Sequence, residues 1–84
     1  MKLPKVLNMG LQNIRQEPLV ELWGNHRILI ENHLGITGYA NDCVHVQLSF
    51  GNLCVTGEDL KLSQITKDQL VIHGNILTLQ LERR

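Results

Sequence analysis

Cys43, His45, Cys54 and Glu58 are the residues whose types could bind a metal ion or act as a nucleophile. Cys43 and His45 are two positions apart, so on a β-strand both side chains point to the same face. Thiolate, imidazole and carboxylate groups are all zinc ligands. However, no paired zinc-ligand motif is present, and the predicted register places Glu58 opposite His45 and does not place the two cysteines opposite each other. The sequence therefore favours ordinary half-buried strand residues and predicts no metal, with metal binding by Cys43, His45 and Cys54 left as the alternative.

The same residues are a poor match to an enzyme active site. A Cys–His nucleophile pair lacks a third group to orient the histidine and lacks an oxyanion hole. Glu58 and Asp59 are adjacent, so in an extended chain they point to opposite faces. The glycines follow no phosphate-binding spacing. The sequence thus predicts no catalytic residues, no cofactor and no enzymatic activity.

Three Gly-Asn pairs, Gly24-Asn25, Gly51-Asn52 and Gly74-Asn75, each separate two runs of alternating apolar and polar residues. Glycine adopts the positive φ of a type II′ turn without steric cost, so each pair predicts a two-residue hairpin turn. In the first hairpin, this register places Glu21 opposite Ile28 and puts Val20 and Leu22 on the other face.

The second and third hairpins predict most of the core. With Gly51-Asn52 as the turn, one face of the second hairpin carries Val44, Val46, Leu48, Phe50, Leu53 and Val55. Leu60 and Leu62 reach the same face only if a bulge or corner lies at Gly57-Glu58-Asp59. In the third hairpin, the predicted core face carries Leu70, Ile72, Leu77, Leu79 and Leu81, and Ile76 faces the other way.

The first residues follow a different period. Leu3, Leu7, Leu11 and Ile14 form one helical stripe. We therefore expect an N-terminal helical segment over residues 1–17 and a single β-rich domain over residues 18–84. The predicted fold is mainly β: a small antiparallel β-meander that closes into a sandwich or open barrel, with a short N-terminal helix.

Composition limits the partners. Eight acidic and eight basic residues cancel, which argues against nucleic acid. There is no apolar stretch long enough to insert into a membrane and no secretory signal pattern, so we expect a cytoplasmic protein with reduced thiols. The first hairpin and the helical stripe carry more apolar side chains than one small sheet needs. Intramolecular packing is one interpretation of this surplus, and a subunit or partner interface is the other. We expect a homo-oligomer, with a possible interface at Leu3, Leu7, Leu11, Leu22 and Trp23.

Four segments are specific enough to compare with a known family: Leu3-Pro4 near the start, Glu31-Asn32-His33-Leu34-Gly35-Ile36, Gly51-Asn52-Leu53-Cys54-Val55-Thr56-Gly57-Glu58-Asp59-Leu60 and Leu70-Val71-Ile72-His73-Gly74. They resemble segments of the YabP/YqfC-like sporulation proteins, and the order and spacing match over most of the chain, from about Pro18 to Leu81. The Ile-Glu-Asn-His and Gly-Glu-Asp-Leu segments favour the YqfC branch.

The resemblance implies a role in spore development in the mother cell of a sporulating bacterium. It also implies a membrane-bound sporulation protein as partner, which would hold this chain peripheral to a membrane during spore-envelope assembly. The family has no established catalytic residues. The resemblance identifies only motif positions of unknown role in this chain: Glu31, Asn32, His33, Gly57, Glu58 and Asp59.

An Sm-like small-barrel RNA-binding protein is the alternative from another class. A helix followed by several strands in about 80 residues fits that fold, and the segment Val71-Ile72-His73-Gly74-Asn75-Ile76 faintly resembles its second motif. The aspartate–asparagine pattern of the first motif and an excess of basic residues are missing. The sequence therefore favours the sporulation scaffold.

Overall fold

A computed structural model describes residues 17–83, which form one open antiparallel sheet in the order β1-β2-β6-β5-β4-β3. The strands are β1 (Leu19–Trp23), β2 (Arg27–Glu31), β3 (Gly35–Ala40), β4 (Cys43–Leu48), β5 (Gly51–Ile65) and β6 (Gln69–Arg83). The mainly β prediction is confirmed, and strands β3 to β6 form a meander. The predicted N-terminal helix lies outside the described residues.

The long hairpin of β5 and β6 is the centre of the sheet. Its tip half, near the turn at residues 66–68, pairs with β2, which in turn pairs with β1. Its other half, residues 51–56 of β5 and 78–83 of β6, pairs with β4, which in turn pairs with β3. The register between β5 and β6 shifts in the region that separates these halves. Each half therefore carries one small hairpin, on opposite edges of the long one.

One hydrophobic core joins the two halves. Its fully or nearly fully buried side chains come from both: Ile28, Ile30, Val44, Val46, Leu48, Leu53, Val55, Leu60, Leu70, Ile72 and Ile76. Val20, Ile36 and Leu62 pack against them. Each large aliphatic side chain buried in this way contributes about 1.5–3 kcal/mol. The core therefore holds the bent sheet together.

The predicted register of the first hairpin is wrong by one residue. Val20 lies opposite Ile30 and Leu22 opposite Ile28. The loop contains three residues, 24–26, because the His26 N–H donates to the Trp23 carbonyl at 3.2 Å and β2 begins one residue later. The extra loop residue places Val20 on the core face.

The second hairpin has the predicted faces but a different turn. Leu48 pairs with Gly51, so Ser49 and Phe50 make the two-residue turn and Gly51-Asn52 belongs to β5. The register differs from the prediction by an even number of residues, which leaves every side chain on its predicted face. Phe50 lies in the turn and is exposed, so it is not part of the buried core.

The third predicted turn is absent, because Gly74-Asn75 lies inside the continuous strand β6. Ile76 pairs with Gly57 and Thr78 with Thr56, so Leu77 is an extra residue in a β-bulge. The bulge turns Ile76 toward the core, contrary to prediction. Leu79 and Leu81 lie opposite the core residues Val55 and Leu53, yet both remain exposed.

A charge on the core face tests this arrangement. Val46→Asp should cost several kcal/mol of unfolding free energy, because Val46 is fully buried and an aspartate there has no partner. Gln47→Asp, on the opposite face of the same strand, should change the stability by about 0.5 kcal/mol or less. Urea denaturation followed by circular dichroism measures both. Equal losses for the two variants would contradict the assigned faces.

Candidate functional site

The bend in the long hairpin forms where β5 and β6 approach each other too closely for side chains. A Cβ atom on Gly57 would overlap the Asn75 carbonyl oxygen. A Cβ atom on Gly74 would lie 2.7 Å from the Asp59 carbonyl oxygen, and Gly74 has a φ of 143° that other residues rarely adopt. Glycine is therefore required on both strands of the bend.

The loops of the two small hairpins supply hydrogen bonds to this bend. On the β5 side, the Gly57 and Leu60 N–H groups donate to the carbonyls of Asp42 (3.1 Å) and Asn41 (2.7 Å) in the β3–β4 loop. On the β6 side, the N–H groups of residues 74 and 76 donate to the carbonyls of residues 26 and 25, at 3.2 and 2.8 Å. Backbone N–H groups that do not pair between β5 and β6 at the bend are thus hydrogen-bonded to loop carbonyls.

Glu58 and Asp59 complete the corner that the sequence predicted at Gly57-Glu58-Asp59. Glu58 accepts a hydrogen bond at 3.0 Å from the Asn75 side chain, and Asp59 has a left-handed φ of 53°. The corner returns Leu60 and Leu62 to the core, as expected. These motif positions therefore have a structural role in shaping the bend.

Glu31, Asn32 and His33 form a second corner, between β2 and β3. Glu31 accepts a hydrogen bond from the Gln69 side chain at 2.9 Å, and the Asn32 side chain donates to the Glu17 carbonyl at 2.8 Å. His33 Nε2 donates to the Thr66 carbonyl at 3.1 Å, and its Nδ1 accepts from the Gly35 N–H at 3.0 Å. Through these hydrogen bonds, the corner connects Glu17, just before β1, to the start of β3 and to the tip of the long hairpin.

An apolar groove opens at the other end of the core face. It has a volume of about 340 Å³ and is lined by Pro18, Val20, Phe50, Leu53, Leu79 and Leu81. Leu81 is 57% exposed although its partner Leu53 is fully buried. The sequence predicted that Leu79 and Leu81 belong to the core. The alternation correctly predicted their face, but both side chains line the groove and remain exposed.

Of the predicted interface residues, Leu22 and Trp23 do not line this groove. Leu22 and Trp23 are both about half exposed near the end of β1, and Arg27 lies over the Trp23 ring at 4.7 Å from its centroid. This cation–π contact occupies one face of the indole. Leu3, Leu7 and Leu11 lie outside the described residues.

Cys43, His45 and Cys54 come together on the outer face of β4 and β5. His45 pairs with Cys54, where the sequence predicted Glu58. His45 Nε2 lies 3.1 Å from Cys43 Sγ and 4.0 Å from Cys54 Sγ, and the three ligand atoms are within 4.8 Å of one another. The correct register, which depends on the Ser49-Phe50 turn, was the missing information.

The environment of Cys54 disfavours a free thiolate. Burial raises the pKa of the Cys54 thiol above its usual value, and the hydrogen bond with Cys43 and electrostatic interaction with Cys43 and Glu82 raise it further. Both cysteines are free and half-buried. A nearby cation would offset each of these electrostatic effects.

No helix within residues 17–83 is long and apolar enough to span a membrane.

Residues 17–83 form a small, all-β fold built on a bent antiparallel hairpin. The chain belongs to the YabP family, whose sequence model matches residues 15–84. This finding confirms the resemblance to the YabP/YqfC-like proteins, and membership of the family fits a role in sporulation. Comparisons with curated proteins and with solved structures gave no significant match.

The close approach at the bend predicts a large effect of one methyl group. Gly57→Ala should lower the unfolding free energy by at least about 2 kcal/mol, because its Cβ overlaps backbone that the core holds in place. Glu58→Ala removes only an exposed side-chain hydrogen bond and should cost about 1 kcal/mol or less. Thermal and urea denaturation compare the two variants. A stability of Gly57→Ala equal to that of the unmodified protein would contradict the geometry of the bend.

Proposed function

We propose that this protein is a non-enzymatic β scaffold whose apolar groove binds a membrane-bound sporulation protein during spore-envelope assembly. The observation that carries the proposal is the groove itself. Its six lining residues are all apolar, and its volume of 340 Å³ is enough for a few side chains of a partner. Membership of the YabP family supports the sporulation part of the proposal.

The free edge beside the groove favours an extended segment as the bound element. β2 pairs with β6 only up to His73, and the loop before β2 makes its last hydrogen bond to Ile76. Within residues 17–83, no strand pairs with residues 79–83, which flank the groove, on the side away from β5. A partner strand added here would gain backbone hydrogen bonds, and its alternate side chains would enter the groove.

The cellular context of this proposal follows from the family. The protein would act in the cytoplasm of the mother cell and be held peripheral to a membrane by its partner. The Ile30-Glu31-Asn32-His33 and Gly57-Glu58-Asp59-Leu60 segments favour the YqfC branch within the family.

A homo-oligomer and the Sm-like RNA-binding alternative stay predictions. Light scattering and salt-dependent RNA binding by the purified protein test them.

Two leucines on β6 provide a matched test of the groove. Leu81 lines the groove and is 57% exposed, whereas Leu77 is 61% exposed on the same strand and does not line it. Leu81→Glu should weaken binding to the membrane-bound partner at least about tenfold, because a bound apolar segment would desolvate the carboxylate. Leu77→Glu should bind as the unmodified protein does.

The measurement is co-purification from membranes of sporulating cells, with each variant replacing the chromosomal copy, together with counts of heat-resistant spores. We expect that an integral membrane sporulation protein no longer co-purifies with the Leu81→Glu variant and that the count of heat-resistant spores falls. The Leu77→Glu variant should retain the membrane protein and give a normal spore count. Equal retention of the same membrane protein by both variants would exclude the groove as the binding site. Normal spore counts with Leu81→Glu would contradict its role in spore formation.

A further inference from the structure

The outer face of the sheet carries a second arrangement of residues, separate from the groove. Cys43 and His45 lie on β4 and Cys54 on β5, and all three are half-buried. They are on the face opposite the core residues Val44 and Val46. This cluster offers two sulfur atoms and one imidazole nitrogen from adjacent strands, which is a mixed set of soft and borderline ligands.

The distances match those around a tetrahedral zinc ion. With ordinary Zn–S and Zn–N bond lengths, the sulfur–nitrogen separation is roughly 3.6 Å and the sulfur–sulfur separation roughly 3.8 Å. The two sulfur–nitrogen distances here, 3.1 and 4.0 Å, lie on either side of that value, and the cysteine sulfurs are within 4.8 Å of each other. Side-chain rotations that change the sulfur–nitrogen distances by about 0.5 Å and the sulfur–sulfur distance by up to about 1 Å would place one ion in contact with all three atoms.

The neighbouring residues leave space for the imidazole and add negative charge. On β3, the residues opposite Cys43 and His45 are Ala40 and Gly38. A Cβ atom on Gly38 would lie 3.2 Å from His45 Cδ2, so any larger residue would crowd the ring. Glu82, diagonal to Cys54 on the same face, brings a carboxylate that favours a cation. Both features suit an ion site better than an ordinary strand surface.

We propose that Cys43 Sγ, His45 Nε2 and Cys54 Sγ bind one zinc ion, with the fourth coordination position open to solvent. Binding releases two thiol protons to water, and the two thiolates neutralise the charge of the ion. The ion would connect β4 to β5 near the end of their pairing that is far from the Ser49-Phe50 turn. It would therefore stabilise the hairpin that forms one wall of the core.

Metal content of the tag-free protein, purified with a reducing agent, tests the site. We expect about one zinc per chain after loading with zinc and dialysis, and a rise in the unfolding temperature over the metal-free protein. Cobalt in place of zinc should give thiolate charge-transfer absorption and the visible bands of a tetrahedral site. Cys54→Ser and His45→Ala should each weaken zinc binding at least about tenfold.

His73→Ala is the matched control, because His73 is a half-buried strand histidine outside the cluster and should keep full zinc binding. Circular dichroism of the metal-free variants shows whether each still forms the sheet. If one does not fold, the cobalt spectrum of the unmodified protein decides. Less than about a tenth of an equivalent of zinc, cobalt spectra without thiolate bands, or undiminished zinc binding by folded Cys54→Ser would overturn the proposal.

Discussion

The close backbone contact between β5 and β6 at Gly57 and Gly74 is the constraint on which the rest of this structure depends. Neither position has room for a Cβ atom, so the two strands can approach and bend together. The bend divides one long hairpin into two halves, each carrying a small hairpin, and lets both halves contribute to one core. Carbonyl groups in the loops of the small hairpins accept hydrogen bonds from N–H groups of the bend, so the bend and the hairpins stabilise each other.

This architecture separates the molecule into surfaces with different chemistry. The inner face contains the aliphatic core and ends in the apolar groove, while the outer face carries the Cys43–His45–Cys54 cluster. The six family-motif positions belong to neither surface. They form the two corners that turn the chain, and their hydrogen bonds run to backbone or neighbouring side chains within the fold. In this chain, these positions shape the two corners of the fold.

The sequence predicted the parts of the fold that depend on alternation. Val44, Val46 and Leu48 face the core even though the turn was misplaced, because an even shift of register preserves the faces. The corner at Gly57-Glu58-Asp59 was predicted because Leu60 and Leu62 would otherwise face water. The sequence wrongly predicts a turn at Gly74-Asn75, because glycine with positive φ occurs in both turns and bulges, and only the pairing with a strand distant in sequence distinguishes them. The cysteine–histidine cluster needed the correct register of β4 and β5, which alternation alone does not fix.

Amide hydrogen exchange at the bend tests the central claim most directly. The N–H groups of Leu60 and Ile76 donate to loop carbonyls at 2.7 and 2.8 Å, and their side chains are buried. If the bend is part of the cooperative fold, both amides should exchange only through global unfolding, as slowly as the amides of the core strands β4 and β5. Exchange of Leu60 and Ile76 as fast as that of Lys67, at the exposed tip of the hairpin, would contradict this account.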